Sequence, residues 1–130
     1  AGVIPAFGPP PAGALAWAGW IDECYAGHDA ERILTALVAH PDPAARAAGQ
    51  ALAGMAPTSV KVTLRAIHAA RSMTLAQVLD QDLRLARHFL ARPDLPEGIR
   101  AQVVDKDRTP RWRPADLAAV TAADVDAFFA

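Results

Sequence analysis

With 130 residues, 52% of them hydrophobic and 21% charged, the chain has the stock of one globular domain and fits neither a disordered nor a fibrous class. Its formal net charge of −1 removes the global electrostatic case for a nucleic-acid partner. The single cysteine, Cys24, excludes an internal disulfide and suits a reducing cytoplasm, and no apolar run approaches the roughly 18 residues needed to cross a bilayer.

About a quarter of the residues are alanine, the best helix former, while β-branched and aromatic residues are sparse. The opening stretch is different in kind. Residues 1–20 carry no charged side chain, and Pro5, Pro9, Pro10 and Pro11 remove backbone donors and fix φ. Residues 1–13 therefore read as a Pro-rich linker, and residues 14–130 as a helical domain. Without a basic leading segment or an initiator Met, the start is expected to be a cut linker and the chain a fragment.

A first helix is expected over 14–26, from the helical recurrence of Leu15, Trp17, Trp20, Ile21, Cys24 and Tyr25, with Gly27 as its stop. Asp29 caps a second helix with Ile33, Leu34, Leu37 and Val38 on its apolar face. Asp42-Pro43 opens a third, capped by the carboxylate with proline at its first position. It has few large apolar residues, Leu52 and Met55, so its alanine face permits close helix approach. A fourth runs from Pro57 to Ala70 with Val60, Leu64 and Ile67 inward.

Thr74-Leu75-Ala76-Gln77 has the form of a capping box and starts the longest helix, to about Arg92, ended by Pro93. Its expected buried side is Leu75, Val78, Leu79, Leu85, Ala86, Phe89 and Leu90. Asp94-Leu95-Pro96-Glu97 reads as another capping box, and Thr121 caps a terminal helix closed by Val125, Phe128 and Phe129. Only Gln102–Val104 hints at a strand. The expected class is all-α, an array of about seven helices.

Candidate chemistry is thin. His28, His40, His68 and His88 form no HExxH pattern, and Gly27 interrupts the Cys24–His28 spacing, so no metal site is expected. The carboxylate pairs Asp80/Asp82, Asp105/Asp107 and Asp124/Asp126 are two residues apart and do not share a helix face, so they are not an acid–base couple. Asp105–Asp116 imitates a calcium loop, but Pro110 stands where the sharp turn wants glycine and Asp116 where the last ligand is glutamate. Neither Ser59 nor Ser72 lies in a nucleophile elbow, and there is no phosphate-cradling glycine loop. No catalytic residue is expected in this chain. The stripe Arg84, His88 and Arg92, with Arg87 beside it, reads as a solvated helix face.

The densest sequence is residues 97–114, Glu-Gly-Ile-Arg-Ala-Gln-Val-Val-Asp-Lys-Asp-Arg-Thr-Pro-Arg-Trp-Arg-Pro. It runs from helix into a basic loop held by prolines. Two roles stay open on the residues alone: an anion-facing element in which Trp112 offers its ring face, or a lock in which Trp112 fills a gap between helices. This stretch resembles the C-terminal signature of the 3-hydroxyisobutyryl-CoA hydrolases, a branch of the crotonase (enoyl-CoA hydratase/isomerase) superfamily: Glu-Gly-(apolar)-Arg-Ala, then Asp-Lys-Asp, then Pro-(basic)-Trp. Residues 56–65, Ala-Pro-Thr-Ser-Val-Lys-Val-Thr-Leu-Arg, resemble a second family segment, although Ala56 stands where the family has serine. Asp82-Leu83-Arg84-Leu85 likewise stands for Glu-Tyr-Arg-Leu. Plain enoyl-CoA hydratases carry Glu-Lys-Arg where this chain has Asp105-Lys106-Asp107, which points to the hydrolase branch.

The resemblance implies the C-terminal helical region of a crotonase-like enzyme whose ββα core, with the oxyanion hole and acidic groups, is absent from this chain. It implies a cover over the active site, contact with that N-terminal core and with other subunits in a homo-oligomer, and an acyl-CoA substrate from valine breakdown. Coenzyme A enters as part of the substrate, with no separate cofactor and no nucleic-acid or membrane partner. Lys106, with Arg108 beside it, is the implied contact to the CoA phosphates.

Overall fold

The computed structural model describes residues 18–130; the expected linker and the first four residues of the expected first helix lie outside them. Helices α1 (Ala18–Cys24), α2 (Ala30–Ala39), α3 (Pro43–Ala53), α4 (Pro57–Ala70), α5 (Leu75–Leu90) and α6 (Asp94–Ile99) follow one another with short turns. The last continues into a π-helical turn, Arg100–Val104, and α7 (Ala122–Asp126) closes the chain.

The caps follow the sequence. Asp29 accepts from the Arg32 amide and Asp42 from the Ala44 amide, with Pro43 at the first turn of α3. Thr74/Gln77 and Thr121/Asp124 each form the reciprocal capping box. Helix α4 starts at Pro57 with no side-chain cap on Ala56. The Asp94–Glu97 box does not form: Pro93 is the N-cap, and both carboxylates are turned to the loop that follows the π turn. The residues hinting at a strand, Gln102–Val104, lie within that turn. Its bonding, Asp105 N to Arg100 O at 2.8 Å, is satisfied locally and needs no partner strand.

Helix α4 joins two small cores. On one side Cys24, Ile33, Leu37 and Ala45 pack with Trp20, Leu52 and Leu64. On the other Val62, Leu85, Val120, Val125 and Phe128 pack with Ala66, Phe89 and Phe129. Helix α5 faces inward through Val78, Gln81, Leu85 and Phe89, not through all the leucines expected. Of the expected leucines Leu75, Leu79 and Leu90 are 58–76% exposed, as is Leu83, outside that expected face, at 53%; Ile67 on α4 is 59% exposed. Helical periodicity alone cannot say which of two apolar stripes is covered.

That exposure corrects the expected class. Among the described residues every regular element is helical, yet Leu95, Ile99, Val103 and Val104 on α6 and the π turn are also uncovered. Beside their two small cores, the helices carry apolar faces that they do not cover for one another.

Candidate functional site

The site is assembled from the end of α6, the π turn and the loop to Pro114. In an α-helix, residues five apart point to different sides; the wider π winding brings Asp105 back to Arg100. Arg100 becomes the hub. Its Nε and Nη2 donate to the two carboxylate oxygens of Glu97 at 2.9 and 2.8 Å, a bidentate fork. Its Nη1 donates to Asp105 at 2.6 Å and to Asp107 at 2.7 Å, and Nη2 also reaches the Thr109 carbonyl at 3.3 Å.

The loop amides complete the lock. The Arg111 amide donates to Glu97 at 2.8 Å, that of Arg113 to Asp94 at 2.9 Å, and that of Thr109 to Asp107 at 2.9 Å. Arg108 N donates to Ala101 O at 3.0 Å, satisfying a carbonyl at the helix end. Trp112 lies against Gly98 and donates from Nε1 to the Gly54 carbonyl at 3.0 Å. Of the two roles left open for Trp112, the lock is the one its contacts describe.

Electrostatics follow from this geometry. The Arg100 fork, helped by the Arg111 amide, holds the Glu97 carboxyl down at about 2. Arg100 and the Thr109 amide hold Asp107 at about 2 as well. The three carboxylates, Glu97 first, raise Arg100 far above its ordinary value. With Asp105 and Asp107 committed to Arg100, the cations beside them are left to solvent. Lys106 and Arg108 are exposed, and among the described residues neither side chain takes part in a salt bridge. Both have left-handed backbones, φ 57° and 56°, which is uncommon for residues other than glycine.

Next to this loop an open, mainly apolar cleft of about 560 Å³ lies between α4, α5 and α6, walled by Phe89, Leu95, Ile99, Val103, Trp112 and Phe128, with Thr58, Ser59, Arg92 and Asp94 as polar lining.

The other candidates scatter. The expected solvated stripe divides: Arg84 and Arg87 are exposed, whereas the Arg92 guanidinium sits 4.3 Å over the Phe128 ring. His28 stacks on His68 with ring centroids 3.7 Å apart, and His40 pairs with Glu23 at 3.3 Å. No group of three or more metal-ligating side chains forms among the described residues. Cys24 is buried, and desolvation with the neighbouring Glu23 pushes its thiol up, the opposite of an activated nucleophile. Among the described residues no helix is long and apolar enough to cross a membrane. Sequence reasoning missed Arg100 as the hub; the available signal was its i, i+3 spacing from Glu97.

Comparison with known proteins gives these contacts a context. The family profile described as Enoyl-CoA hydratase/isomerase matches residues 6–129. The chain is 38% identical over 109 residues to the mitochondrial 3-hydroxyisobutyryl-CoA hydrolase of Rattus norvegicus, covering 84% of the chain and 28% of that protein. It is 36% identical to the Homo sapiens enzyme of the same name over the same shares. Among solved structures, a carnitinyl-CoA dehydratase from Mycobacterium thermoresistibile superposes with a TM-score of 0.85 at 43% identity, over 95% of this chain and 36% of that one. An enoyl-CoA hydratase from Rhodobacter sphaeroides 2.4.1 superposes with a TM-score of 0.86 at 31% identity, over 98% and 38%.

These superpositions overturn the expected fold class. An all-α class defined by an absent ββα core is not what a chain shows that superposes over 95–98% of its length on 36–38% of two CoA-enzyme structures.

Proposed function

The chain belongs to the enoyl-CoA hydratase/isomerase family, within the crotonase superfamily, and on that premise we propose that it is the cover and subunit-contact portion of an acyl-CoA thioester hydrolase. The substrate is 3-hydroxyisobutyryl-CoA, an intermediate of valine breakdown, and Lys106 with Arg108 faces the CoA phosphates. Catalytic groups come from outside the described residues. The exposed faces of α5, α6 and the π turn meet the rest of the enzyme and other subunits of a homo-oligomer. No cofactor beyond the substrate's own CoA is required. Buried Cys24 suits a reducing compartment such as the cytoplasm, while the vertebrate relatives are named mitochondrial.

One observation carries the reading: Asp105 and Asp107 are both spent on Arg100, so Lys106 is presented as a cation between two acids that do not neutralise it. The arrangement requires an acid at position 107. The Glu-Lys-Arg of the plain hydratases would place a second guanidinium against Arg100, which supports the hydrolase branch. In the complete enzyme, Lys106→Ala is expected to raise KM for the acyl-CoA about 10- to 100-fold, the loss of one charge-assisted phosphate contact, with kcat nearly unchanged. A truncated thioester without the nucleotide should not register the substitution. An equal kcat loss with both substrates would make Lys106 structural and reject the assignment.

A second reading is favoured by the 43% identity to the carnitinyl-CoA dehydratase: hydration or dehydration of another acyl-CoA on the same scaffold. Release of free CoA thiol from 3-hydroxyisobutyryl-CoA separates the two, since a dehydratase would form an enoyl thioester and leave the thioester bond intact.

A further inference from the structure

We propose that Arg100 is a positioning residue for Lys106, holding it in the left-handed conformation that presents its ammonium and keeping the adjacent carboxylates off it. This deepens the phosphate-contact reading above and rests on it. Asp105 and Asp107, on either side of Lys106, converge on one nitrogen, Arg100 Nη1, at 2.6 and 2.7 Å. With both neighbours pinned to a single atom, the chain reverses at Lys106, whose φ is 57°. The reversal is held on its far side by Arg108 N to Ala101 O at 3.0 Å and by the Thr109 amide on Asp107 at 2.9 Å.

The same bonds have an electrostatic consequence. From Glu97 to Arg113 the chain carries five basic residues and three acids, and all three acids lie on Arg100. Lys106, Arg108, Arg111 and Arg113 are thus left to face solvent. Remove the guanidinium and Asp105 and Asp107 lose their partner; the cation adjacent to both in sequence is Lys106, whose pairing with them would cancel the charge meant for a phosphate. A lysine at position 100 keeps one positive charge but is a point charge without the planar fork that serves Glu97 on one edge and two aspartates on another.

The test is a double-mutant cycle in the complete enzyme, reading KM for the acyl-CoA and kcat. Arg100→Gln is expected to raise KM by about the factor seen for Lys106→Ala, to leave kcat within twofold, and to add nothing further when Lys106 is already alanine. Arg100→Lys is expected to give little rescue. If the two factors multiply in the double variant, Arg100 acts independently of Lys106 and the proposal is overturned. If Lys106→Ala itself leaves KM unchanged, the phosphate-contact reading falls first and takes this proposal with it, a result distinct from multiplying factors. Should Arg100→Gln fail to fold, Asp107→Asn serves in the same cycle, because it breaks one arm of the clamp at an exposed residue and must likewise be masked by Lys106→Ala. Backbone couplings at residue 106 in the 130-residue chain give a direct check. The φ should leave the left-handed region in Asp107→Asn, and its persistence there would also overturn the proposal.

Discussion

A methyl group on Gly98 would stand 3.2 Å from Cη2 of Trp112, closer than ordinary van der Waals contact, and 3.6 Å from Cζ3, within it. The indole has little room to retreat, because its Nε1 is bonded to the Gly54 carbonyl at 3.0 Å. Gly98→Ala should therefore lower unfolding free energy by about 1 kcal/mol or more, overpacking outweighing the ~1 kcal/mol by which alanine favours a helix interior. In a Trp112→Phe background the ring lacks Cη2, and the sign should reverse. Urea unfolding of the four proteins checks this; Gly98→Ala stabilising in both backgrounds would mean the ring does not set the limit.

What could be read in advance divides along physical lines. The caps at Asp29, Asp42, Thr74 and Thr121 were legible because capping is a local exchange between a side chain and an amide two or three residues on. The Asp94–Glu97 box has the same local form and fails because a distant loop competes for both carboxylates. The 97–114 stretch stood out as a motif, but Arg100 as the hub of its carboxylates did not, since its partners lie three, five and seven residues away on a turn whose π winding no periodicity announces. The inward side of α5 differs for a related reason: the expected face takes in Leu75, Leu79 and Leu90, which are exposed together with Leu83, because periodicity does not say which apolar stripe is covered.

Gly49 on α3 lies directly against α2. A Cβ there would meet Val38 Cγ2 at 3.0 Å, Leu37 Cβ at 3.1 Å and the Val38 amide nitrogen at 3.1 Å. The exposed Val38 side chain can rotate away, but a backbone nitrogen and the Cβ of fully buried Leu37 cannot. Gly49→Ala is expected to destabilise by about 1–3 kcal/mol, read as a lower midpoint in thermal unfolding. No change, or a gain, would show that the two helices separate freely.

The two faces of α5 should respond oppositely to substitution. Leu79→Glu and Leu83→Lys lie on the exposed stripe and are expected to shift the stability of the isolated chain by no more than about 0.5 kcal/mol, while reducing its self-association and dye binding. Leu85→Ala should cost about 2–5 kcal/mol and Phe128→Ala about 3–5 kcal/mol, since these residues are 7% and 0% exposed. On the proposed function, which has this face meet the rest of the enzyme, the stripe substitutions should become costly in the complete enzyme. Equal effects in both settings would mean that nothing docks on it.

The lock should open in acid. Glu97, at about 2 in the folded chain against an ordinary value of 4.5, is a carboxylate depressed by its partners. Its contribution to stability is fully present above the ordinary value and is lost as pH falls toward 2. Asp107, also held at about 2, acts in the same window, and Asp29 and Asp124 are lowered too, so the whole chain should weaken there. The specific measurement is the difference between the wild type and Glu97→Gln in denaturant midpoint. That gap should be constant above about pH 5 and shrink steadily below it, because the protonated wild-type side chain comes to resemble the amide. Protonated Glu97 can no longer serve as anionic acceptor for both the Arg100 fork and the Arg111 amide. The left-handed signature at Lys106 should therefore fade over the same interval, before the Val62–Phe128 core unfolds. A gap independent of pH would place the value of Glu97 in packing and detach the charge cluster from the loop it is argued to hold.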